Sequence, residues 1–210
     1  MALHDISVTL HPKMPVWPGS PGIRTRRLMD MAEGAEANVS EVSLDVHTGT
    51  HIDAPLHFIA EGKNTLSIPL EKTVGPCEVV HFPGKSIIRA ADLSQKGIPA
   101  GTKKLLFKTD NSQKWANPHH LFDEDFCALS ADAAQWVCDH GVELVGIDYH
   151  SIQKFHDSME THRILLRAEV VILETLNLSA IAPGPYRLTC LPLKVHDVEG
   201  ISARAILEDL

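Results

Sequence analysis

The most informative stretch of the sequence is His47-Thr48-Gly49-Thr50-His51-Ile52-Asp53-Ala54-Pro55-Leu56-His57. Its first two histidines are four residues apart, a spacing that would place both on one face of a helix. The residues around them oppose a helix, because Thr48 and Thr50 are β-branched, Gly49 favours other conformations and Pro55 follows closely. We therefore predict an extended chain over this stretch.

Alternate side chains of an extended chain share one face, so His47, His51 and Asp53 are expected to point the same way. The missing side chain of Gly49 would then leave room for an ion between the two imidazoles. Two neutral ring nitrogens and one carboxylate suit Zn²⁺ or Mn²⁺ as ligands. A hydrolytic site of this kind keeps an open position for water. The stretch therefore predicts a metal-binding site.

His57 follows Pro55, which changes the chain direction, so its side chain need not follow the same alternation. The residues alone leave two roles open for it. One is binding of a second ion. The other is acid/base chemistry beside the metal, because imidazole titrates close to neutral pH.

Further ligands are expected at the ends of apolar strands. Glu174 follows the apolar residues 170–173, and a buried carboxylate is costly unless it is paired or binds a cation. Asp148 ends a similar segment and is another candidate, and His162 opens the helix predicted before 170–173. Polar loop residues are expected to be structural or solvent-facing, namely Asp110, Asn111, His150, His156 and Asp157.

The remaining pattern predicts a mixed fold. Strands are predicted over 38–48, 77–82, 103–109, 144–147, 170–173, 186–193 and 203–207. Helices are predicted over 130–140 and 161–168, the first with Ser130 as its N-cap and Gly141 as its C-terminal stop. Because several strands follow one another without a helix between them, we expect a mixed α/β (α+β) domain rather than a doubly wound sheet.

Length and composition bound the possible functions. A chain of 210 residues with 44% hydrophobic and 22% charged residues is typical of one globular domain. We expect a single domain over 1–210, with residues 1–37 forming a turn-rich N-terminal arm. The formal net charge is −8 and no Lys/Arg cluster is present, which argues against nucleic-acid binding.

Other features of the chain favour a cytoplasmic location. No run of 18 apolar residues exists, so we expect no membrane span, and the N-terminus lacks the basic start and apolar stretch of a signal peptide. The four cysteines are scattered without a C-x-x-C pair and are expected to be reduced. The expected partner is a small-molecule substrate.

The sequence resembles a known family. Residues 47–58, H-T-G-T-H-I-D-A-P-L-H-F, are similar to the H-x-G-T-H-x-D-x-P-x-H motif of the cyclase family, which includes bacterial kynurenine formamidases and isatin hydrolases. Further blocks resemble the family in the same order, at residues 5–7, 14–19, 144–149, 162–166, 172–174 and 191–194. The resemblance therefore extends over nearly the whole chain.

The resemblance implies a swivelling β/β/α domain with a mixed sheet, assembled as a homodimer or homotetramer. It implies metal binding by His47, His51 and Asp53, with one or two Zn²⁺ ions, or Mn²⁺ as in the isatin hydrolases. Kynurenine formamidases hold a second ion through the positions that match His162 and Glu174. The position of His57 serves as the catalytic acid/base, and that of Trp17 lies near the substrate pocket.

The predicted function is therefore hydrolysis of a small-molecule C–N amide bond by metal-activated water. An aryl formamide such as N-formylkynurenine is the first substrate to consider. Two alternatives stay open. One is hydrolysis of a lactam or lactone ring by the same chemistry, and the other is a non-catalytic protein that uses a metal to bind a small ligand.

Overall fold

A mixed eight-stranded sheet organises the part of the chain that the computed structural model describes, residues 2–117 and 119–210. The strands, with those of two small ribbons, are β1 (Leu3–Asp5), β2 (Ile23–Met29), β3 (Val39–Leu44), β4 (His51–Asp53), β5 (Val74–Phe82), β6 (Ile87–Ile88), β7 (Lys104–Thr109), β8 (Ala128–Leu129), β9 (Leu144–Ile147), β10 (Val171–Glu174), β11 (Gly184–Pro192) and β12 (Gly200–Asp209). The α-helices are α1 (Leu70–Thr73), α2 (Ala90–Ser94), α3 (Ala131–Asp139) and α4 (Glu160–Arg167). Short 3₁₀ turns cover Met31–Glu33, Pro55–His57, Thr65–Ser67 and Asp110–Ala116.

The strand order of the main sheet is β1-β12-β11-β5-β7-β9-β10-β4. Strands β5, β7, β9 and β10 are parallel neighbours, whereas β1, β12, β11 and β4 pair antiparallel. Strand β4 also pairs with the first residues of β12, so β4 lies between strands from two distant parts of the chain. The mixed α+β class with a mixed sheet, predicted from the sequence, is confirmed.

The main sheet has an apolar core on each face, because neighbouring residues of a strand point in opposite directions. On β7, Leu105 and Phe107 belong to the cluster that includes buried residues of α3 and α4. Leu106 between them belongs to the other cluster, with residues of β11 and β12. Such strands, buried on both faces, read as continuous apolar runs in the sequence.

The predicted helices and most predicted strands are confirmed within a few residues. Helix α3 begins after Ser130 and is followed by Gly141 at a left-handed φ of 67°. Ser130 is the N-cap residue, as predicted, but its hydroxyl lies within hydrogen-bond distance of the Ile88 carbonyl and the Asp132 carboxylate and accepts no bond from the helix backbone. No helix in the described part of the chain is long and apolar enough to cross a membrane.

The N-terminal region contains more regular structure than its turn-rich sequence indicates. Within residues 1–37, Leu3–Asp5 forms an edge strand of the main sheet, and Ile23–Met29 pairs with Val39–Leu44 in a separate two-stranded ribbon. Leu28 and Val42 of this ribbon are exposed. The expected homo-oligomer stays a prediction.

Candidate metal centre

Strand β4 supplies the centre of a buried polar cluster. His51 and Asp53 alternate along it, and His51 lies directly opposite Glu174, the last residue of β10. The Nε2 atom of His51 is 3.4 Å from Oδ1 of Asp53 and 3.5 Å from Oε2 of Glu174. Two carboxylates and an imidazole therefore meet where β4 and β10 pair.

His47 reaches this cluster by a different route from the one expected. The predicted strand over 38–48 ends at Leu44, and the following residues form a turn, so His47 does not share an extended chain with His51. The turn contains Gly49 at a φ of 71°, a left-handed conformation that favours glycine. The ring of His47 still arrives at the cluster, with Nδ1 3.0 Å from Oδ1 of Asp53.

The predicted role of Gly49 as a space for the ion is wrong. A methyl group at Gly49 would lie 2.2 Å from Cδ2 of Leu10, so the missing side chain makes room for the N-terminal segment. Its carbonyl has a separate function, because it accepts a hydrogen bond of 2.7 Å from Nδ1 of His51. This bond places the proton of the neutral ring on Nδ1 and leaves Nε2 free to bind a cation.

His162 enters from helix α4 on the other side of Asp53. Its Nε2 is 3.2 Å from Oε1 of Glu174 and 3.8 Å from Oδ2 of Asp53. Its Nδ1 is 3.3 Å from Oε1 of Gln153, which can accept the ring proton. The two predicted residues from the later part of the chain, His162 and Glu174, are thus brought to the motif at 47–57.

The cluster forms two overlapping sets of possible metal ligands that share Asp53. His47, His51 and Asp53 offer ligand atoms within 4.8 Å of one another, and so do Asp53, His162 and Glu174. Nitrogen and carboxylate donors in these numbers are typical of zinc and manganese sites. Each set could hold an ion, and Asp53 belongs to both.

The polar atoms at the centre fit a cation because they lack other partners. Within the described residues, Nε2 of His47, Nε2 of His51 and Oδ2 of Asp53 are buried without a hydrogen bond. A buried polar atom left without a partner costs about 1–3 kcal/mol. A divalent cation would satisfy these atoms together, and the ligand chemistry of the site is therefore consistent with a metal.

The carboxylates of the cluster are held in their charged form. Burial opposes ionisation of Asp53, but the electrostatic interaction with His57, the hydrogen bond with His47 and the nearby ring of His51 keep the pKa of Asp53 well below its usual value. Burial alone would lower the pKa of His51, yet Asp53 and Glu174 outweigh it and raise that pKa to about 10. The two acids thus create a strongly negative field that a proton or a metal cation would neutralise.

His57 stands beside the ligand sets without belonging to either. It ends the 3₁₀ turn Pro55–His57, and its ring stacks on His47 with centroids 4.1 Å apart and lies 6.0 Å from His162. Burial lowers the pKa of His57, the charge of Asp53 opposes this, and His47 and His162 lower the pKa further. A neutral imidazole at this position can accept a proton.

The cluster lines a cavity of about 430 Å³. Trp17, predicted to lie near a substrate, is on its wall, with its ring 4.9 Å from that of Phe155 and 5.4 Å from that of Phe122. Sequence reasoning missed other wall residues that have no motif of their own, namely Phe58, His150, Ser151, Gln153, Phe155 and Met159. Residues 150–159 directly follow a strand that ends at the site, and this position in the sequence is the signal that could have identified most of them.

Comparison with known proteins agrees with this picture. The family model described as "Putative cyclase" matches residues 4–154. Cyclase-like protein 3 of Arabidopsis thaliana is 36% identical over 213 residues, which cover 98% of this chain and 79% of that protein. This chain belongs to the cyclase family.

Solved structures show the same fold in other proteins. This cyclase-family chain is 32% identical to a structure described as a "predicted metal-dependent hydrolase from Bacillus stearothermophilus", with a TM-score of 0.84 and coverage of 98% of this chain and 97% of that one. Isatin hydrolase A from Ralstonia solanacearum is similar in fold, with a TM-score of 0.81, 22% identity and coverage of 98% and 91%.

Asp148, the other candidate at the end of an apolar strand, lies outside the ligand sets of this cyclase-family chain. It is fully buried, and its carboxylate accepts hydrogen bonds from the backbone N–H and hydroxyl groups of both Thr109 and Ser112. A longer contact of 3.4 Å comes from Asn111. The carboxylate is thus satisfied by protein donors and has a structural role.

Proposed function

We propose that this protein is a metal-dependent hydrolase that cleaves a C–N amide bond in a small aryl substrate. One observation carries the proposal: buried nitrogen and carboxylate atoms without other partners converge at a cavity, beside a histidine, His57, that is outside the ligand sets. Membership of the cyclase family supports it. Formylated aryl amines such as N-formylkynurenine are the first substrates to test.

Five residues would hold the metal. His47, His51 and Asp53 form one ligand set, and His162 and Glu174 complete the other with Asp53. Two zinc ions are the first expectation, with manganese as the alternative. A divalent cation in such a site lowers the pKa of a water ligand to about 7 and polarises a carbonyl oxygen.

The remaining chemistry belongs to the side chains around the ligands. His57 accepts a proton from the water that attacks the amide carbonyl and then donates a proton to the nitrogen that leaves. A C–O bond forms, the C–N bond breaks, and the products are a carboxylic acid and an amine. General acid/base help of this kind contributes about 10²–10⁴-fold to the rate. Trp17 and Phe155 offer flat apolar surfaces for an aryl ring.

The role of His57 gives the sharpest test. In His57→Ala we expect the zinc content of the parent protein, because His57 is in neither ligand set, and a fall in kcat of about 10²–10⁴-fold because the proton carrier is lost. Plasma emission spectroscopy and a formamide hydrolysis assay measure the two quantities. Loss of zinc from His57→Ala would show that His57 is a ligand and that this assignment is wrong.

The choice of substrate separates the two catalytic readings. A panel of aryl formamides and of cyclic amides such as isatin distinguishes a formamidase from a lactam hydrolase, for which the fold similarity to isatin hydrolase A is the supporting observation. A metal-loaded protein that hydrolyses neither class would instead support the non-catalytic binding protein.

A further inference from the structure

The cavity has two chemically different walls. One wall is the histidine and carboxylate cluster of the candidate metal centre. The other carries Trp17 and Phe155, whose ring centroids lie 4.9 Å apart, and Phe58 adds aromatic surface beside His57 and His162. A volume of about 430 Å³ suits a small molecule with one or two rings. An aryl substrate would therefore place its amide at the cluster and its ring among the aromatic side chains.

His150 is the unexplained polar residue of this cavity. It follows Asp148 and Tyr149 in the loop after β9, is only 6% exposed and lines the cavity. Among the residues that the structure describes, none forms a hydrogen bond with its Nε2 atom. Buried polar atoms are normally paired, so a histidine that lines a cavity and keeps a ring nitrogen unpaired is a candidate to bind a ligand atom.

Three aromatic rings hold the imidazole of His150 in place. The ring centroids of Tyr149, Phe122 and Trp115 lie 4.7, 5.4 and 5.7 Å from that of His150. A side chain fixed by packing loses little further freedom when it binds, so its hydrogen bond can discriminate between ligands. The proposed hydrolysis does not use this residue.

His150 does not offer a positive charge. Burial lowers its pKa to about 3, with His51 and His120 adding to that effect and Glu174 opposing it. The ring is therefore neutral near neutral pH and has one N–H donor and one nitrogen acceptor. Such a group pairs with a carbonyl, a hydroxyl or an amine rather than selecting an anion by charge.

The rest of the cavity wall agrees with this preference. Of the described residues that line the cavity, none is lysine or arginine, and the acids Asp45 and Glu174 are both on the wall. A substrate carboxylate bound against the aromatic wall would lose its hydration without gaining a cationic partner, which is costly. An uncharged ring substituent avoids this penalty.

We propose that His150 forms a hydrogen bond with an uncharged polar group on the aryl ring of the substrate, so that the cavity selects rings that bear such a group over rings that bear a carboxylate. The proposal rests on the proposed function, because it assumes that the scissile amide lies at the metal centre. It narrows the substrate class to aryl amides or lactams with a ring carbonyl, hydroxyl or amine.

Three formamides that differ in one ring substituent test the selectivity of the zinc-loaded protein. Formanilide has no substituent, 2′-formamidoacetophenone adds a ketone and 2-formamidobenzoate adds a carboxylate. We expect kcat/KM for the ketone to exceed that for formanilide by about 3- to 10-fold, the worth of one hydrogen bond. The carboxylate should be at least about 10-fold poorer than the ketone. A carboxylate hydrolysed better than the ketone would overturn the proposal.

Variants assign the effect to His150. In His150→Phe, which keeps an aromatic ring but has no polar atom, the advantage of the ketone over formanilide should disappear. In His150→Gln, which restores a donor and an acceptor, part of the advantage should return. The matched control is His156→Phe, because His156 is exposed and lies outside the cavity wall, and its ketone advantage should equal that of the parent. A ketone advantage that survives in a folded, zinc-loaded His150→Phe would overturn the proposal.

A binding measurement separates this inference from the proposed function. The N-acetyl analogues acetanilide and 2′-acetamidoacetophenone can be titrated into the zinc-loaded protein, with the dissociation constants read from ligand-observed NMR. We expect the ketone to bind about 3- to 10-fold more tightly in the parent and in His150→Gln but not in His150→Phe. This pattern without hydrolysis of any formamide or lactam would refute the proposed function and support the role of His150. Hydrolysis of a formamide or lactam, together with equal affinity of the parent for the two analogues, would support the proposed function and refute the role of His150.

Discussion

Glu174 and Asp148 are two buried acids in matching places, yet their surroundings differ. Glu174 ends β10 and Asp148 follows β9, the parallel neighbour of β10. Asp148 is surrounded by hydrogen-bond donors from Thr109 and Ser112. Glu174 receives one backbone N–H, from Ile152, and otherwise faces histidines. The donors around a buried carboxylate, rather than its burial, distinguish a candidate metal ligand from a structural residue.

These surroundings shift the pKa values of the two acids in opposite directions. Burial raises the pKa of Asp148 to about 6, although its hydrogen bonds counteract part of that rise. Burial and the charge of Asp53 also tend to raise the pKa of Glu174, but the hydrogen bond with His162 and the nearby ring of His51 hold it below its usual value. The carboxylate of Glu174 is therefore kept ionised by the histidines around it and can bind a cation.

The largest expected difference between the two acids is in metal binding. Glu174→Gln should lower zinc affinity by more than about 100-fold, because loss of an outer-shell partner alone costs about 10–100-fold and Glu174 is a proposed direct ligand. Asp148→Asn should keep the zinc content of the parent. Plasma emission spectroscopy of both variants, purified without chelator, measures this. Equal zinc content in the two variants would remove the distinction between these acids.

The next prediction concerns the packing around His47 in the candidate metal centre. Gly200 of β12 pairs with Asp53, and a methyl group at Gly200 would lie 2.5 Å from Cε1 of His47. In Gly200→Ala the ring of His47 must move, so we expect zinc affinity to fall by about 10–100-fold, as for loss of an orienting partner. Competition with a chromophoric chelator measures the affinity.

Gly184→Ala is the control for a methyl group added to a strand of the same sheet. At Gly184 the new methyl group would meet no atom within 4 Å, although the φ of 140° disfavours alanine. This variant should lose stability and keep the zinc affinity of the parent. If Gly184→Ala loses zinc affinity as strongly as Gly200→Ala, general strain in the sheet rather than the ring of His47 explains the effect.

The local part of the site could be predicted from the sequence, and the distant part could not. The types and spacing of His47, His51 and Asp53 predicted a shared site, although the extended chain proposed to connect them was wrong. The residues alone made His162 and Glu174 candidates among several, and only the family resemblance selected them as ligands. Their approach depends on the pairing of β4 with β10, two strands more than a hundred residues apart, which no local pattern specifies.

The different surroundings of Glu174 and Asp148 also could not be predicted from the sequence. Both end apolar segments, and the alternation of side chains indicates burial for each. The donors that satisfy Asp148 come from a turn after β7, some forty residues earlier in the chain. For the same reason His150 was assigned to a polar loop, because its burial depends on Trp115 and Phe122 from another segment.

Asp148→Ala should reduce stability without affecting the metal. It would leave the backbone N–H groups of Thr109 and Ser112 without their acceptor, which costs about 1–3 kcal/mol for each group that water does not reach. Urea unfolding of the metal-free protein measures the change. The exposed Glu61→Ala serves as control and should leave the unfolding free energy nearly unchanged. A fall no larger than that of the control would show that Asp148 is not a structural acid.

The last prediction concerns the pH dependence of stability, and it tests the charge of Asp148 alone. The folded-state pKa of about 6 lies above the usual value of 3.8, so between pH 4 and pH 6 the folded protein binds this proton more tightly than the unfolded chain does. The contribution of Asp148 to the unfolding free energy therefore decreases as pH rises through this window, by roughly 2–3 kcal/mol in all.

Asp148→Asn has no such proton, so the parent should lose stability relative to this variant from pH 4 to pH 6. Urea unfolding of both metal-free proteins at pH 4, 5, 6 and 7 gives the difference directly, because the histidine cluster is common to both and cancels. Parallel stability curves would mean that the donors from Thr109 and Ser112 fully offset the cost of burying the charge.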